Sequence, residues 1–134
     1  MDLKSIVNDK SEIGVDMPIL HPITGDELTE GDRKVTLKVM GADCKAYRGL
    51  SHKLNSEKLK KRMRGSQSIP KSEELEAEAI DLLTTSVIGW EGVQWEGKDL
   101  PFSKDNAKMI LTECLWLREQ VDRFVNDRRN FMGN

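Results

Sequence analysis

The sequence predicts a predominantly α-helical α+β fold, with an N-terminal β-hairpin, about four helices, and a small extended hairpin between the second and third helices. Before residue 42, apolar residues alternate with other residues, which is typical of strands. After residue 43 they recur every three or four positions, which is typical of helices. The 134 residues suffice for one modest core, so we expect a single domain over residues 1–134.

Residues 15–42 are expected to form the β-hairpin. The alternating apolar residues are Val15, Met17 and Ile19 in the first arm and Val35, Leu37 and Val39 in the second. The turn-forming residues between the arms are Pro22, Gly25 and Gly31. Pro18 has no N–H to donate, so the first strand should lie at the edge of the sheet. Residues 1–14 show little apolar periodicity and are expected to be flexible.

Residues 43–134 are expected to be mainly helical, beginning with a helix that Asp43 caps at its N-terminus. The apolar residues that recur along this helix are Tyr47, Leu50, Leu54, Leu59 and Met63. The segment 65–71, GSQSIPK, contains glycine and proline and should end the helix.

Three serines indicate where later helices begin. Ser68 or Ser72 is expected to cap the second helix, which starts with several glutamates, as the helix dipole favours. Ser103 is expected to cap the third helix, KDNAKMILTE. A fourth helix should follow in CLWLREQVDRFVNDRRNF.

The connector GWEGVQWEGKDLPFS, residues 89–103, is rich in glycine and yet holds two of the three tryptophans. We expect Gly89 to end the second helix, because glycine tolerates the left-handed conformation that follows a helix. Two short extended arms should then flank a turn at residues 96–99. The large apolar residues expected to pack this connector onto the core are Trp90, Trp95 and Phe102.

A basic segment, residues 45–71, directly precedes an acidic one, residues 73–81. Helices of opposite charge are expected to face each other, within one chain or between subunits. The residues predicted to mediate self-association are Lys58, Lys61, Arg62, Glu73 and Glu76. Two alternatives remain open: a solvated surface, or a nucleic-acid site on residues 45–64. Nucleic acid is disfavoured because no aromatic residue is interleaved with the cations to stack on bases.

The final helix combines aromatic residues with arginines, a composition typical of interface hot spots. One side of this helix should complete the core, and another should meet a partner. The residues predicted to bind that partner are Trp116, Arg118, Arg123 and Arg128.

No motif for catalysis, metal binding or cofactor binding is found in the sequence. P-loop, GxGxxG, GxSxG and HExxH patterns are absent, and His21 and His52 stand outside any ligand spacing. We therefore expect no enzyme activity, no metal and no cofactor. Cys44 and Cys114 are far apart in sequence and are expected to be reduced structural thiols.

Composition argues against membranes and anionic partners. No apolar run suits a signal peptide or a bilayer span, so a cytoplasmic protein without a membrane partner is expected. The net charge of -2 gives no general attraction for nucleic acid or anionic lipid.

Two blocks of motifs resemble the tail assembly chaperones of long, non-contractile-tailed (lambda-like) bacteriophages. The first block is HPITGDEL, a strand, and then GADCKAYR, where that family has a T-G-[DE] turn and a G-x-D-[SC]-x-x-[YF]-R helix start. The second is IGWEGVQWEGKDLPFSKDNAKMIL with WLREQVDRFV, which resembles the family's W-x-G segment, its hairpin ending in PFS and its terminal helix. Cys44 stands where serine is commoner.

The resemblance implies a non-enzymatic role in the host cytoplasm, by a protein absent from the finished virion. Such chaperones self-associate and hold the tape-measure protein in solution until tail-tube subunits polymerise around it. Some members also exist as a longer, frameshifted form that recruits the tube protein. The alternatives are a virion component, such as a head–tail joining or tail-completion protein, and a small nucleic-acid-binding regulator acting through residues 45–64.

Overall fold

The computed structural model describes residues 1–7, 9–65 and 71–132. It is a mixed α+β fold in which helix predominates, as the sequence predicts. The α-helices of the described residues are α1 Lys10–Ile13, α2 Lys45–Met63, α3 Ser72–Ser86, α4 Lys104–Glu113 and α5 Leu115–Val125. Two 3-10 helices span Leu3–Ile6 and Arg128–Phe131. The strands are β1 Val15–Pro18, β2 Thr29–Glu30, β3 Arg33–Lys34, β4 Thr36–Val39, β5 Val87–Glu91, β6 Gln94–Trp95 and β7 Lys98–Asp99.

The main sheet has three antiparallel strands in the order β1-β4-β5. Pro18 lies on the edge strand β1, as predicted from its missing N–H. Leu37 of the central strand pairs with Met17 on one side and with Trp90 on the other. The predicted β-hairpin is therefore two strands of a larger sheet, and the chain between them forms the short β2–β3 hairpin.

The prediction that Gly89 ends the second helix is wrong. Helix α3 ends at Ser86, and the chain passes directly into β5, where Gly89 pairs with Lys38. The β-branched residues Val87 and Ile88 favour this strand, and Val87 is buried in the core. The strand depends on pairing with β4, which lies about 50 residues earlier in the chain. Glycines and other turn-forming residues nearby in the sequence therefore do not predict it.

The core lies between the inner side of this sheet and helices α3, α4 and α5. Its fully buried large side chains are Phe131, Leu37, Leu111, Val39, Val87 and Val121. Helix α2 contributes little, because none of its residues over Lys45–Met63 is buried. The apolar residues predicted to line one side of α2 do not pack on the core near its C-terminal end, where Leu59 and Met63 are exposed.

The helix starts agree with the sequence predictions only in part. Ser103 caps α4 by accepting a 3.0 Å hydrogen bond from the Asn106 N–H, which confirms that prediction. Cys44, rather than Asp43, caps α2, and its sulfur accepts from the Tyr47 N–H. Lys71 occupies the cap position of α3 without a side-chain bond, and Ser72 is the first helical residue. Ser68 lies outside the described residues.

Asp43 is unavailable as a cap because its carboxylate receives two hydrogen bonds from Arg128, at 2.7 and 3.2 Å. The backbone carbonyl of Asp43 also accepts a hydrogen bond from Arg48, a residue of α2. The Asp43 side chain therefore joins the start of α2 to the C-terminal 3-10 helix, and local sequence rules do not predict this contact.

Gly41 is packed so closely that an added Cβ would collide with Ser11 and approach Phe131. We expect Gly41→Ala to lower the free energy of unfolding by about 1–3 kcal/mol, because overpacking shifts neighbouring side chains. Gly49, in the exposed middle of α2, is the matched control, since an added Cβ there meets nothing within 4 Å. Gly49→Ala should raise stability by about 0.5–1 kcal/mol through helix propensity. Urea unfolding measures the change in the free energy of unfolding for each variant. Changes of the same sign in the two variants would contradict the close packing of Gly41.

Candidate partner-binding surface

The connector that follows α3 folds into strand β5 and a small β6–β7 hairpin. Glu96 and Gly97 form its turn, with φ of 53° and 80°, the left-handed pair that suits a tight two-residue hairpin. Trp90 donates from its indole Nε1–H to the carbonyl of Leu100 at 2.7 Å. Its ring meets Phe102 edge to face, with centroids 5.0 Å apart. These contacts hold the glycine-rich segment against the core.

A groove of about 290 Å³ opens beside this hairpin. We call it the tryptophan groove, and its principal apolar lining residues are Ile19, Val35, Val93, Trp95, Trp116 and Leu117. Both tryptophans are half-buried and pack against the core cluster. The polar residues that also line it are Thr29, Glu30 and Gln94. An apolar floor with a few polar groups at its border is suited to holding one side of an amphipathic segment.

Cys114 also lines the tryptophan groove, where partial burial, and then the nearby Glu113 carboxylate, raise the pKa of its thiol. The other thiol, Cys44, is completely buried. The two cysteines therefore differ in solvent access, and of the two only Cys114 lines the tryptophan groove.

Helix α5 presents Trp116, Gln120 and Arg123 along one side, because positions four and seven apart share a helix face. Gln120 binds the backbone of Leu20 through two hydrogen bonds, accepting from its N–H at 3.0 Å and donating to its carbonyl at 2.8 Å. Beyond this contact, Arg123 lines a second depression of about 240 Å³ with Asn130. Trp116 and Arg123, both predicted to bind a partner, thus line neighbouring depressions.

The other two predicted partner-binding arginines are ion-paired within the chain. Arg118 contacts Glu76 at 3.0 Å, and its side chain is only 12% exposed. Its Nη1 atom is buried and lacks an acceptor among the described residues. Arg128 pairs with Asp43, as described above. The structure therefore separates these two arginines from Trp116 and Arg123, and a partner-binding role for all four stays a prediction.

The residues predicted to mediate self-association also divide into two groups. Lys58 pairs with Glu78 at 2.8 Å across α2 and α3, and Glu76 pairs with Arg118. Oppositely charged helices do face each other within this chain, one of the two arrangements that the sequence allowed. Lys61, Arg62 and Glu73 are exposed and make no ion pair in the described part of the chain.

The histidine and acidic residues form no candidate metal centre among the residues that the structure describes. His21 instead organises a turn, where its Nδ1 accepts from the N–H groups of Ile23 at 3.1 Å and Thr24 at 3.3 Å. Within residues 1–7, 9–65 and 71–132, no helix has the length and apolarity needed to cross a bilayer.

Two contacts between distant segments of the chain have no signal in the local sequence. Gln120 is 100 residues from its partner Leu20, so only the folded chain reveals their contact. Lys104 donates from its ammonium group to the carbonyls of Thr84, Thr85 and Val87. These carbonyls lie at the end of α3, and the lysine satisfies groups that a helix end leaves without partners.

Comparison of this chain with protein-family models, with curated proteins and with solved structures finds no match.

Proposed function

We propose that this chain is a bacteriophage tail assembly chaperone that binds the tape-measure protein. In this role it is a non-enzymatic protein of the host cytoplasm that self-associates. It keeps the tape-measure protein soluble until tail-tube subunits polymerise around it. The observation that carries the proposal is the convergence of separate motif blocks at the tryptophan groove.

Each block contributes to this groove. Leu28 ends the HPITGDEL segment of the first block and lines the groove with the adjacent Thr29, whereas no residue of the GADCKAYR segment lines it. Val93 and Trp95 come from the W-x-G segment, and Trp116 belongs to the terminal WLREQV motif. These residues are far apart in sequence and meet at one surface. A shared binding surface gives a physical reason for these motifs to occur together.

The groove has the chemistry that the proposed task requires. A tape-measure protein is expected to be long and largely helical, so it offers apolar helix faces that must be kept from aggregating. An apolar floor with a polar border accepts such a face with little sequence specificity. Moderate affinity at each groove allows tube subunits to displace the chaperone, while many copies provide sufficient occupancy. A longer, frameshifted form would supply the contact with the tube protein.

Co-expression with the tape-measure protein of the same phage tests the proposal. We expect the otherwise insoluble tape-measure protein to be recovered in solution and bound to the chaperone. Unchanged solubility of the tape-measure protein would refute the assignment. The principal alternative, a virion component, is tested by mass spectrometry of purified particles. Stoichiometric amounts of this protein in the particles would refute the chaperone assignment.

Alkylation of Cys114 shows whether the tape-measure protein occupies the groove. In the free protein, Cys114 should react with a thiol reagent slowly, because burial raises its pKa and reduces the thiolate fraction. Bound tape-measure protein should slow this reaction further. Cys44 is an internal control, since its buried thiol should stay unreactive in both samples. Equal rates at Cys114 in both samples would place the tape-measure protein elsewhere.

A further inference from the structure

Helices α2 and α3 together form a helical hairpin whose tip projects from the core. We define the hairpin tip as residues 59–64 and 71–75. The Lys58–Glu78 ion pair aligns the second half of α2 with the first half of α3. No residue of the tip is buried. The tip is therefore the part of the described chain where both helices present most of their surface to solvent.

Apolar side chains are exposed at this tip. Leu59 and Met63 are 58% and 79% exposed, and their four-residue spacing places them on one side of α2. Leu75, at the start of α3, is also exposed. Because the two helices have the same rise per residue, the Lys58–Glu78 pair sets Leu75 at a level between Leu59 and Met63. The three side chains thus occupy one short stretch of the hairpin.

Charges of opposite sign accompany these apolar side chains on the two helices. The cations at the end of α2 are Lys60, Lys61, Arg62 and Arg64; on the α3 side, the anions Glu73 and Glu74 outnumber the single cation Lys71. Within the described residues, none of these seven groups belongs to an ion pair. The tip consequently carries complementary charges that the chain itself does not use.

We infer that the hairpin tip is a self-association surface whose occupant is the tip of a second copy. In this arrangement α2 of each copy lies against α3 of the other, around a two-fold axis. The cations of one copy then meet the anions of its partner twice, and the apolar side chains are covered together. Lys58 and Glu76, which are ion-paired within the chain, are not needed for this contact.

The inference deepens the proposed function and rests on it for the purpose of self-association. A pair of copies presents two tryptophan grooves, so it binds a long tape-measure chain with greater avidity than one copy does. The association itself is testable on the isolated protein, without any tape-measure protein.

Charge exchange between two variants provides the experiment. Lys60→Glu, Lys61→Glu and Arg62→Glu together make the α2 side of the tip acidic, like the α3 side, with Arg64 as its remaining cation. Glu73→Lys with Glu74→Lys makes the tip basic on both helices. Each variant alone should self-associate about 10-fold or more weakly than the unaltered protein, because like charges then meet. An equimolar mixture should restore association, since each acidic tip meets a basic one. Sedimentation velocity and light scattering measure the molar mass in each case.

The matched control is Lys45→Glu with Lys53→Glu, which reverses two charges, as the Glu73→Lys, Glu74→Lys variant does, but on exposed residues of α2 outside the tip. This variant should associate like the unaltered protein. A mixture that stays monomeric, or a control that weakens association as much, would overturn the inference. An unaltered protein that is monomeric would also overturn the inference. If this monomer also shifts a short DNA duplex, the cations bind nucleic acid instead.

The two proposals can fail separately. A monomeric tip variant that still keeps the tape-measure protein soluble would leave the chaperone function intact and remove avidity from it. If association is lost in each charge variant and restored in the mixture, but the tape-measure protein stays insoluble, the tip contact is supported and the chaperone function is refuted.

Discussion

Phe131→Ala is expected to lower the free energy of unfolding by about 3–5 kcal/mol, in line with large-to-small changes in other cores. Phe131 is only 1% exposed although it lies beyond the last α-helix, in the C-terminal 3-10 helix. Its ring meets Phe124 edge to face at 5.7 Å, and its edge lies close to Gly41. Truncation removes this packing and leaves a cavity next to α5. Urea unfolding monitored by circular dichroism measures the loss.

Two further variants show whether packing is the cause. Phe131→Leu keeps most of the apolar volume and should cost less than about 1.5 kcal/mol. Leu115→Ala, at an exposed position on α5, should change stability by no more than about 0.5 kcal/mol. Because an added Cβ at Gly41 meets Ser11 more closely than Phe131, the cost of Gly41→Ala should shrink only in part when Phe131 is already alanine. A loss below about 1 kcal/mol for Phe131→Ala would contradict the position of this residue in the core.

Trp116→Ala combined with Arg123→Ala is expected to weaken binding of the tape-measure protein about 100-fold. A buried tryptophan at an interface commonly contributes a factor of about 30 or more, and the arginine adds to it. Trp116 lines the tryptophan groove, and Arg123 lines the depression beyond Gln120. Co-purification with the tape-measure protein, at matched expression, measures the effect.

The matched control for this pair is Leu115→Ala with Lys53→Ala, which alters an exposed apolar residue and an exposed cation outside the two depressions. Helix content and thermal unfolding should stay close to those of the unaltered protein in both double variants. Equal binding by the two double variants would remove the tryptophan groove from the proposed function. Loss of helix content in the Trp116 variant would instead indicate that this side chain serves the core.

Several elements of the fold were predictable because their causes are local. Alternating apolar residues predict β1 and β4, since neighbouring side chains of a strand point to opposite sides. Ser103 predicts the start of α4, because its hydroxyl reaches an N–H only three residues away. The sequence predicts a turn over residues 96–99, but the structure confines the turn to Glu96 and Gly97, because Lys98 and Asp99 pair with β6 as strand β7.

Other features escaped prediction because a distant residue competes for the same group. Asp43 resembles an N-cap in the sequence, but Arg128 occupies its carboxylate, and the Cys44 sulfur caps α2 instead. Gly89 resembles a helix end, but the edge of β4 draws its segment into the sheet. Arg118 pairs with Glu76 on α3, a contact between distant residues that the sequence does not reveal, and its predicted role in partner binding stays a prediction.

The sequence by itself determined the α+β class, the main helices and the residue types available for contact, because these depend on neighbours within one or two turns. Only the tertiary structure decided that the connector supplies the third strand and that the two half-buried tryptophans, Trp95 and Trp116, share a groove. It also decided which charges stay unpaired at the hairpin tip. These arrangements depend on contacts between residues tens of positions apart, such as Gln120 with Leu20, and the free energy of those contacts exists only in the folded chain.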